Sequence, residues 1–151
     1  INNIKNGQTI TKSPIYSQTS AASYFSNVGE NFVEVDLTKQ HVWCYNGGYL
    51  AVEGDIVTGN ESNGNATPDG VYSIYSRQKD TVLVGEDYAS PVSFWMPFNK
   101  NIGLHDASWR SEFGGEIYKT NGSHGCVNLP YSVASGIYDN TYVGETVICH
   151  Y

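Results

Sequence analysis

A chain of 151 residues with 40% hydrophobic and 15% charged residues is long enough for one domain with a real core, burying roughly 68–70% of the surface its unfolded chain exposes. Eight Lys and Arg against fifteen Asp and Glu give a net charge of −7, which excludes nucleic acid as a partner, because neutralising phosphates needs clustered cations. No apolar run approaches the ~20 residues of a membrane span, and 16 Gly with 12 Tyr favour a β-rich class with tight turns over a helical bundle.

The polar opening INNIKNGQTITKSP does not read as a secretory signal. Its abrupt start without Met leads to the expectation of an excised fragment, with any anchor or signal upstream. Residues 1–27 carry Ser, Thr, Asn and Lys with little periodicity and are expected to be a linker or leader, with the domain at 28–151. In NFVEVDL the residues Phe32, Glu34 and Asp36 alternate with Val33, Val35 and Leu37, the period-two pattern of a half-buried strand. TKQ turns the chain into HVWCYN and NGG turns it again into YLAVEGDIVTG, predicting a three-stranded meander. Further strands are expected at VYSIYSR after the Pro68-Asp69-Gly70 turn, at TVLVG, VSFWMPF and NIGLHD, and finally at GETVICHY. One helix is expected after residue 126, with Asn128 as N-cap, Pro130 in the first turn, and Val133, Ala134 and Ile137 on its apolar face. The sum is a mainly β fold, a sandwich or partly closed barrel of short mixed strands with one or two short helices.

Residues 122–130 read GSHGCVNLP, small, polar and turn-forming surroundings that suit a thiol meant to be reached. Cys126 is the candidate nucleophile, and a thiol needs a nearby imidazole or cation to become thiolate near neutral pH. His105, ending the strand NIGLHD, is the candidate base, because a strand end holds a ring rigidly within reach of a loop. His124 is read as a shaper of the loop or a donor to substrate. The amides of Gly125 and Cys126 could face an oxyanion, and Ser123 and Asn128 could orient a histidine or the loop. Trp109 and Tyr118 are candidates for a substrate groove or lid over Cys126, while Trp95 is read as packing. Arg110 reads as a solvated charge, with binding of a peptide carboxylate as the other reading. A backbone carbonyl, not Asp106, is the expected orienter of His105. Three cysteines leave at least one free. Cys44 and Cys149 lie in apolar strand patterns and are expected in the core, and His41 and His150 at the surface or strand ends. A structural loop and a zinc site of His105, His124 and Cys126 stay open as minor alternatives.

The segment IGLHDASWRSEFGGEIYKTNGSHGCVNLP, together with the meander and the TPDGVYSI turn before it, resembles the catalytic signature of the L,D-transpeptidase (YkuD-like) family over about residues 30–151. It departs from many relatives in carrying Asp106, where they have Gly, so the loop there is expected to differ. The resemblance implies a peptidoglycan L,D-transpeptidase of the bacterial cell envelope, extracytoplasmic and monomeric, with no metal or cofactor. Cys126 would attack the carbonyl before the terminal D-Ala of a tetrapeptide stem, with His105 as base and acid and Ser123, His124, Gly125 and Asn128 shaping the pocket. The acyl group would pass to the amine of an acceptor stem, and carbapenem-type β-lactams would acylate the same thiol. The competing readings are a cysteine peptidase hydrolysing stem peptides and a non-catalytic wall-binding module with an incidental thiol. The last is expected to betray itself by a thiol no faster than free cysteine in alkylation at pH ~6–7.

Overall fold

The expected meander forms, in strands β1 (Phe32–Asp36), β2 (His41–Asn46) and β3 (Tyr49–Asp55). Asp36 closes the first turn, its Oδ1 accepting from the amides of Thr38 and Lys39 at 3.0 and 2.9 Å. Gly47 and Gly48 close the second, both at positive φ, as a tight hairpin requires. The structure is a computed structural model that describes residues 30–85 and 88–151. The expected linker over 1–27 lies outside the described residues.

β1 departs from its expected half-burial, because all five of its residues are buried. It runs inside its sheet, antiparallel to β2 and parallel to the last strand, β9 (Thr146–His150). Val33 and Val35 point into the main core. On the opposite face Phe32 packs with Tyr45 and Ile148, and Glu34 Oε2 accepts a 2.8 Å hydrogen bond from His150 Nε2. Alternation in sequence thus marks two different buried faces, one of them holding a hydrogen-bonded Glu–His pair.

The remaining strands are β4 (Gly70–Ser73), β5 (Gln78–Val84), β6 (Ala89–Asn99), β7 (Ile102–Asp106) and β8 (Val127–Leu129), with helices α1 (Ile117–Asn121) and α2 (Tyr131–Asn140). They form a five-stranded sheet in the order β3-β2-β1-β9-β4 and a four-stranded sheet in the order β5-β6-β7-β8. Both sheets mix parallel and antiparallel pairs and neither closes into a barrel. Met96, Leu104, Val127 and Leu129 from one sheet meet Val33, Val35, Val42 and Val147 from the other in a single core; full burial of such side chains contributes roughly 1.5–3 kcal/mol each. Helix α2 adds Val133, Ala134 and Ile137 to that core. It lies so close to β3 that a Cβ on Gly54 would fall 2.5 Å from Val133 Cγ2.

Asn128 is not the helix cap the sequence suggests. It lies in β8, exchanging backbone hydrogen bonds of 2.8 and 3.0 Å with Val57, and α2 starts at Tyr131 with Pro130 in the cap position. Pairing on both sides of β8 keeps residues 127–129 extended and defers the helix. Among the described residues no helix is long and apolar enough to cross a membrane.

Candidate active site

Strand pairing brings the two key segments together. β7 and β8 run parallel, with Leu104 opposite Val127, His105 opposite Asn128 and Asp106 opposite Leu129. Cys126, the residue before β8, therefore arrives beside the middle of β7. Gly103 lets β7 approach β6 there, since a Cβ on it would lie 2.5 Å from Pro97 Cα. His105 and Cys126 line one cavity of about 150 Å³, together with Trp109, Ser123, His124 and Asn128.

The loop between Gly122 and Cys126 is laced to residues 57–67. The Ser123 amide donates to Thr58 O and the Asn60 amide to Ser123 O, both at 2.9 Å. A Cβ on Gly122 would lie 2.7 Å from Asn60 Cα and from Thr58 O, so only glycine permits this approach. Thr67 joins the same lacing, its Oγ1 donating to Gly125 O at 2.6 Å and accepting from the Gly59 amide at 2.9 Å. Within the loop, Ser123 Oγ accepts from the Gly125 amide at 3.0 Å and donates to Cys126 O. Ser123 is thus the orienter of the loop itself. The Gly125 amide, expected to face an oxyanion, is engaged by Ser123 instead. Gly125 sits at φ +133°, a conformation that would strain any other residue.

The ring of His105 is buried and locked. Its Nδ1 lies 2.7 Å from Asp106 O, which fixes Nδ1 as the protonated nitrogen and leaves Nε2 as the acceptor. The Asp106 side chain points elsewhere, its Oδ1 accepting from the amides of Ser93 and Phe94 at 2.9 Å. The Trp95 and Trp109 rings flank His105, with centroids at 5.9 and 5.8 Å. Burial pushes the His105 pKa below the ordinary 6.5, with the Arg110 charge adding to that against the opposing pull of Asp106. Burial also pushes the Cys126 thiol up to about 11, against a smaller opposing pull from the Gly103 backbone. The thiol lies 3.4 Å from Asn101 O, an acceptor that favours S–H over S⁻. Both shifts disfavour the charged form of each group, thiolate and imidazolium alike. A base with a free lone pair in the same cavity as a thiol can take its proton as the sulfur attacks. Slow alkylation at pH ~6–7 consequently loses its value as a mark of an incidental thiol.

Of the expected groove residues, Trp109 lines the cavity with half of its surface exposed, whereas Tyr118 is buried in α1 and lies outside that lining. His124 is exposed and stacks on Tyr88, centroids 4.6 Å apart, forming a wall of the cavity. Asn128 is buried, and its Oδ1 has no hydrogen-bond partner. Among the described residues no three His, Cys, Asp or Glu side chains are grouped to hold a metal ion, so His105, His124 and Cys126 do not assemble as a zinc site. Cys44 and Cys149 are buried, their thiols pushed up to about 12 chiefly by that burial. Sequence reading missed the lacing role of Thr67, which it saw only beside a turn. It also left Arg110 as a surface charge, although Arg110 lines the cavity.

The profile of the YkuD family, the L,D-transpeptidase catalytic domain, matches residues 30–149. No curated protein matches the chain by sequence. Among solved structures, a cysteine-to-serine mutant of the Enterococcus faecium L,D-transpeptidase is similar at 38% identity and a TM-score of 0.77, covering 82% of this chain. The chain spans half the length of that protein. The catalytic domain of the E. faecium enzyme acylated by ertapenem is similar at 39% identity and a TM-score of 0.72, covering 80% of this chain and 97% of that one. An L,D-transpeptidase from Stackebrandtia nassauensis is similar at 29% identity and a TM-score of 0.66, covering 87% of this chain and 62% of that one. With the loop of Cys126 and the strand of His105 brought side by side in a mixed two-sheet fold, and with the family profile spanning both, the chain belongs to the L,D-transpeptidase catalytic domain family.

Proposed function

We propose that this domain transfers acyl groups between peptidoglycan stem peptides, with Cys126 as nucleophile and His105 as base and then acid, in the bacterial cell envelope and as a monomer. The observation that carries the reading is that Cys126 and a tautomer-locked His105 line one cavity. In the first half-reaction Sγ bonds to the carbonyl carbon before the terminal D-Ala, and the thiol proton moves to His105 Nε2. The carbon–nitrogen bond then breaks, and the departing amine takes that proton, leaving a thioester on Cys126 and a neutral imidazole. In the second half-reaction an acceptor amine attacks the thioester and passes its proton to His105. The new amide forms and Cys126 leaves with the proton restored. A thioester favours amine over water when the amine is held in place.

A carbapenem would enter by the same route. Sγ bonds to the lactam carbonyl and the ring nitrogen takes the proton, but that nitrogen stays tethered, so the thioester persists. The similar E. faecium domain acylated by ertapenem supports this. The test is incubation with a disaccharide-tetrapeptide, with and without an acceptor amine, followed by mass spectrometry. The expected result is a cross-linked dimer with loss of D-Ala. Release of tripeptide stem without dimer, acceptor present, would instead make the domain a hydrolase.

A further inference from the structure

The geometry points to Arg110 as the residue that selects the acyl donor, by binding a free carboxylate on the residue just beyond the bond to be cut. This rests on the acyl-transfer reading above and deepens it. Arg110 is the only Lys, Arg, Asp or Glu among the described residues lining the cavity of His105 and Cys126. Its head is held in place, with Nη1 donating to Asn121 O at 2.9 Å and its backbone amide to Ala107 O at 3.2 Å. Asn121 ends α1, directly before the loop that carries Cys126, so one short segment positions both the cation and the nucleophile.

The guanidinium is held but not satisfied. Its Nε is buried without a hydrogen-bond partner, and among the described residues no carboxylate lies within 4.0 Å of it. The other arginine, Arg77, also has a buried Nε without a partner, but its guanidinium is covered by the Tyr138 ring at 3.9 Å, donates to the Tyr138 carbonyl and lies outside the cavity lining, a structural engagement. A buried N–H on a cation is costly when left without an acceptor, and the cost is relieved when a ligand brings one. The chain as a whole carries a net charge of −7, so an anionic peptide is not drawn to it by the overall field. A local cation in the cavity has to do the recognising.

The ligand chemistry follows from position. Arg110 is near enough to His105 for its charge to bear on the imidazole, and the departing nitrogen must come to His105 to collect its proton. In a donor whose scissile amide is its last, the carboxylate carbon stands two bonds from that nitrogen. A planar guanidinium fork matches a carboxylate. A donor extended by one more residue, or amidated at its end, presents a neutral amide at the same place and leaves the cation unpaired.

The measurement compares kcat/KM for a stem tetrapeptide with a free C-terminal carboxylate and for its C-terminal amide, using the whole chain and following release of the terminal residue. Wild type is expected to favour the acid by about 30-fold or more. Arg110→Gln is expected to bring that ratio to within about 3-fold by losing on the acid and not on the amide, with Arg110→Lys in between. Retained turnover of the amide shows that the variant is folded. Equal turnover of the two donors by wild type, or equal loss on both in the variant, overturns the role of Arg110 alone. A wild-type chain inert toward both overturns the acyl-transfer reading and this inference with it.

Discussion

The two histidines near Cys126 have different surroundings and should have different kinetic weight. His105 is buried and tautomer-locked, whereas His124 stacks on Tyr88 in the open. Replacing His105 by Ala is expected to lower kcat/KM by ~10²–10⁴-fold, the usual worth of a positioned acid–base group, and His124→Ala by far less. Equal losses in a transfer assay would show that the proton path has been misassigned. Cys126→Ala should abolish thioester formation in intact-protein mass spectra while leaving the thermal midpoint nearly unchanged, because the thiol lies in a loop and adds little to the core. The pH profile has its own signature. With the His105 pKa below 6.5, the acid limb of kcat/KM should fall below pH 6.5 and the imidazole should stay a competent base at mildly acidic pH. The free thiol, pushed up to about 11, should react with iodoacetamide slowly at neutral pH and faster as pH rises. A fast, pH-independent alkylation at neutral pH would mean that a thiolate–imidazolium pair exists at rest.

Among the elements, the lacing of the loop to residues 57–67 is what positions Cys126. Thr67→Val removes one buried donor and one buried acceptor, leaving Gly125 O and the Gly59 amide without partners. The expected cost is about 1–3 kcal/mol in denaturant unfolding, accompanied by slower acylation by a carbapenem. Unchanged acylation in a destabilised variant would mean that the loop holds its shape without Thr67. How much of this was legible beforehand follows from what sequence periodicity can encode. The meander, the strand ending in His105 and the apolar face of α2 show in the sequence because each repeats at the spacing of its own element. The burial of both faces of β1 does not show, since Glu34 looks like an exposed residue until its partner His150, 116 positions away, is known. β8 was hidden because its three residues are too few to show a period, and Asn128 and Pro130 there mimic a helix start. The tie from Thr67 to the loop spans 58 positions, and no local pattern reports it.

For the molecule as a whole, two buried groups make stability depend on pH in the same direction. Glu145 is fully buried, and burial pushes its pKa up to about 7 from 4.5, against weaker opposing pulls from the Tyr142 backbone and Arg77. A carboxyl raised on folding holds its proton more tightly in the native state, so stability is lost as pH rises from about 4.5 through about 7. At His150, burial lowers the pKa, but hydrogen bonds to Glu34 and the Tyr151 carbonyl and the nearby Asp36 charge outweigh it, for a net rise above 6.5. Its contribution is full below 6.5 and is lost as pH climbs through the folded value. His105 opposes both on the acid side. The stability gap between Glu145→Gln and wild type is therefore expected to move in favour of the variant by up to about 3 kcal/mol between pH 5 and 8. A gap that stays constant in denaturant titrations at both pH values would mean that Glu145 does not change its proton binding on folding. The placement of β9 has a different kind of consequence. The last strand lies inside its sheet, between β1 and β4, and completes it by pairing with a strand more than a hundred residues earlier in the chain. During synthesis, the emerging polypeptide can close its hairpins, but the five-stranded sheet has a gap in its interior until residues 146–150 have left the ribosome. Closure of this sheet is then a late and non-local event, of the sort that folds slowly. A nascent chain stalled before Thr146 should be cut rapidly by protease at sites that the folded domain shields, and stalling after His150 has cleared the tunnel should restore resistance in one step.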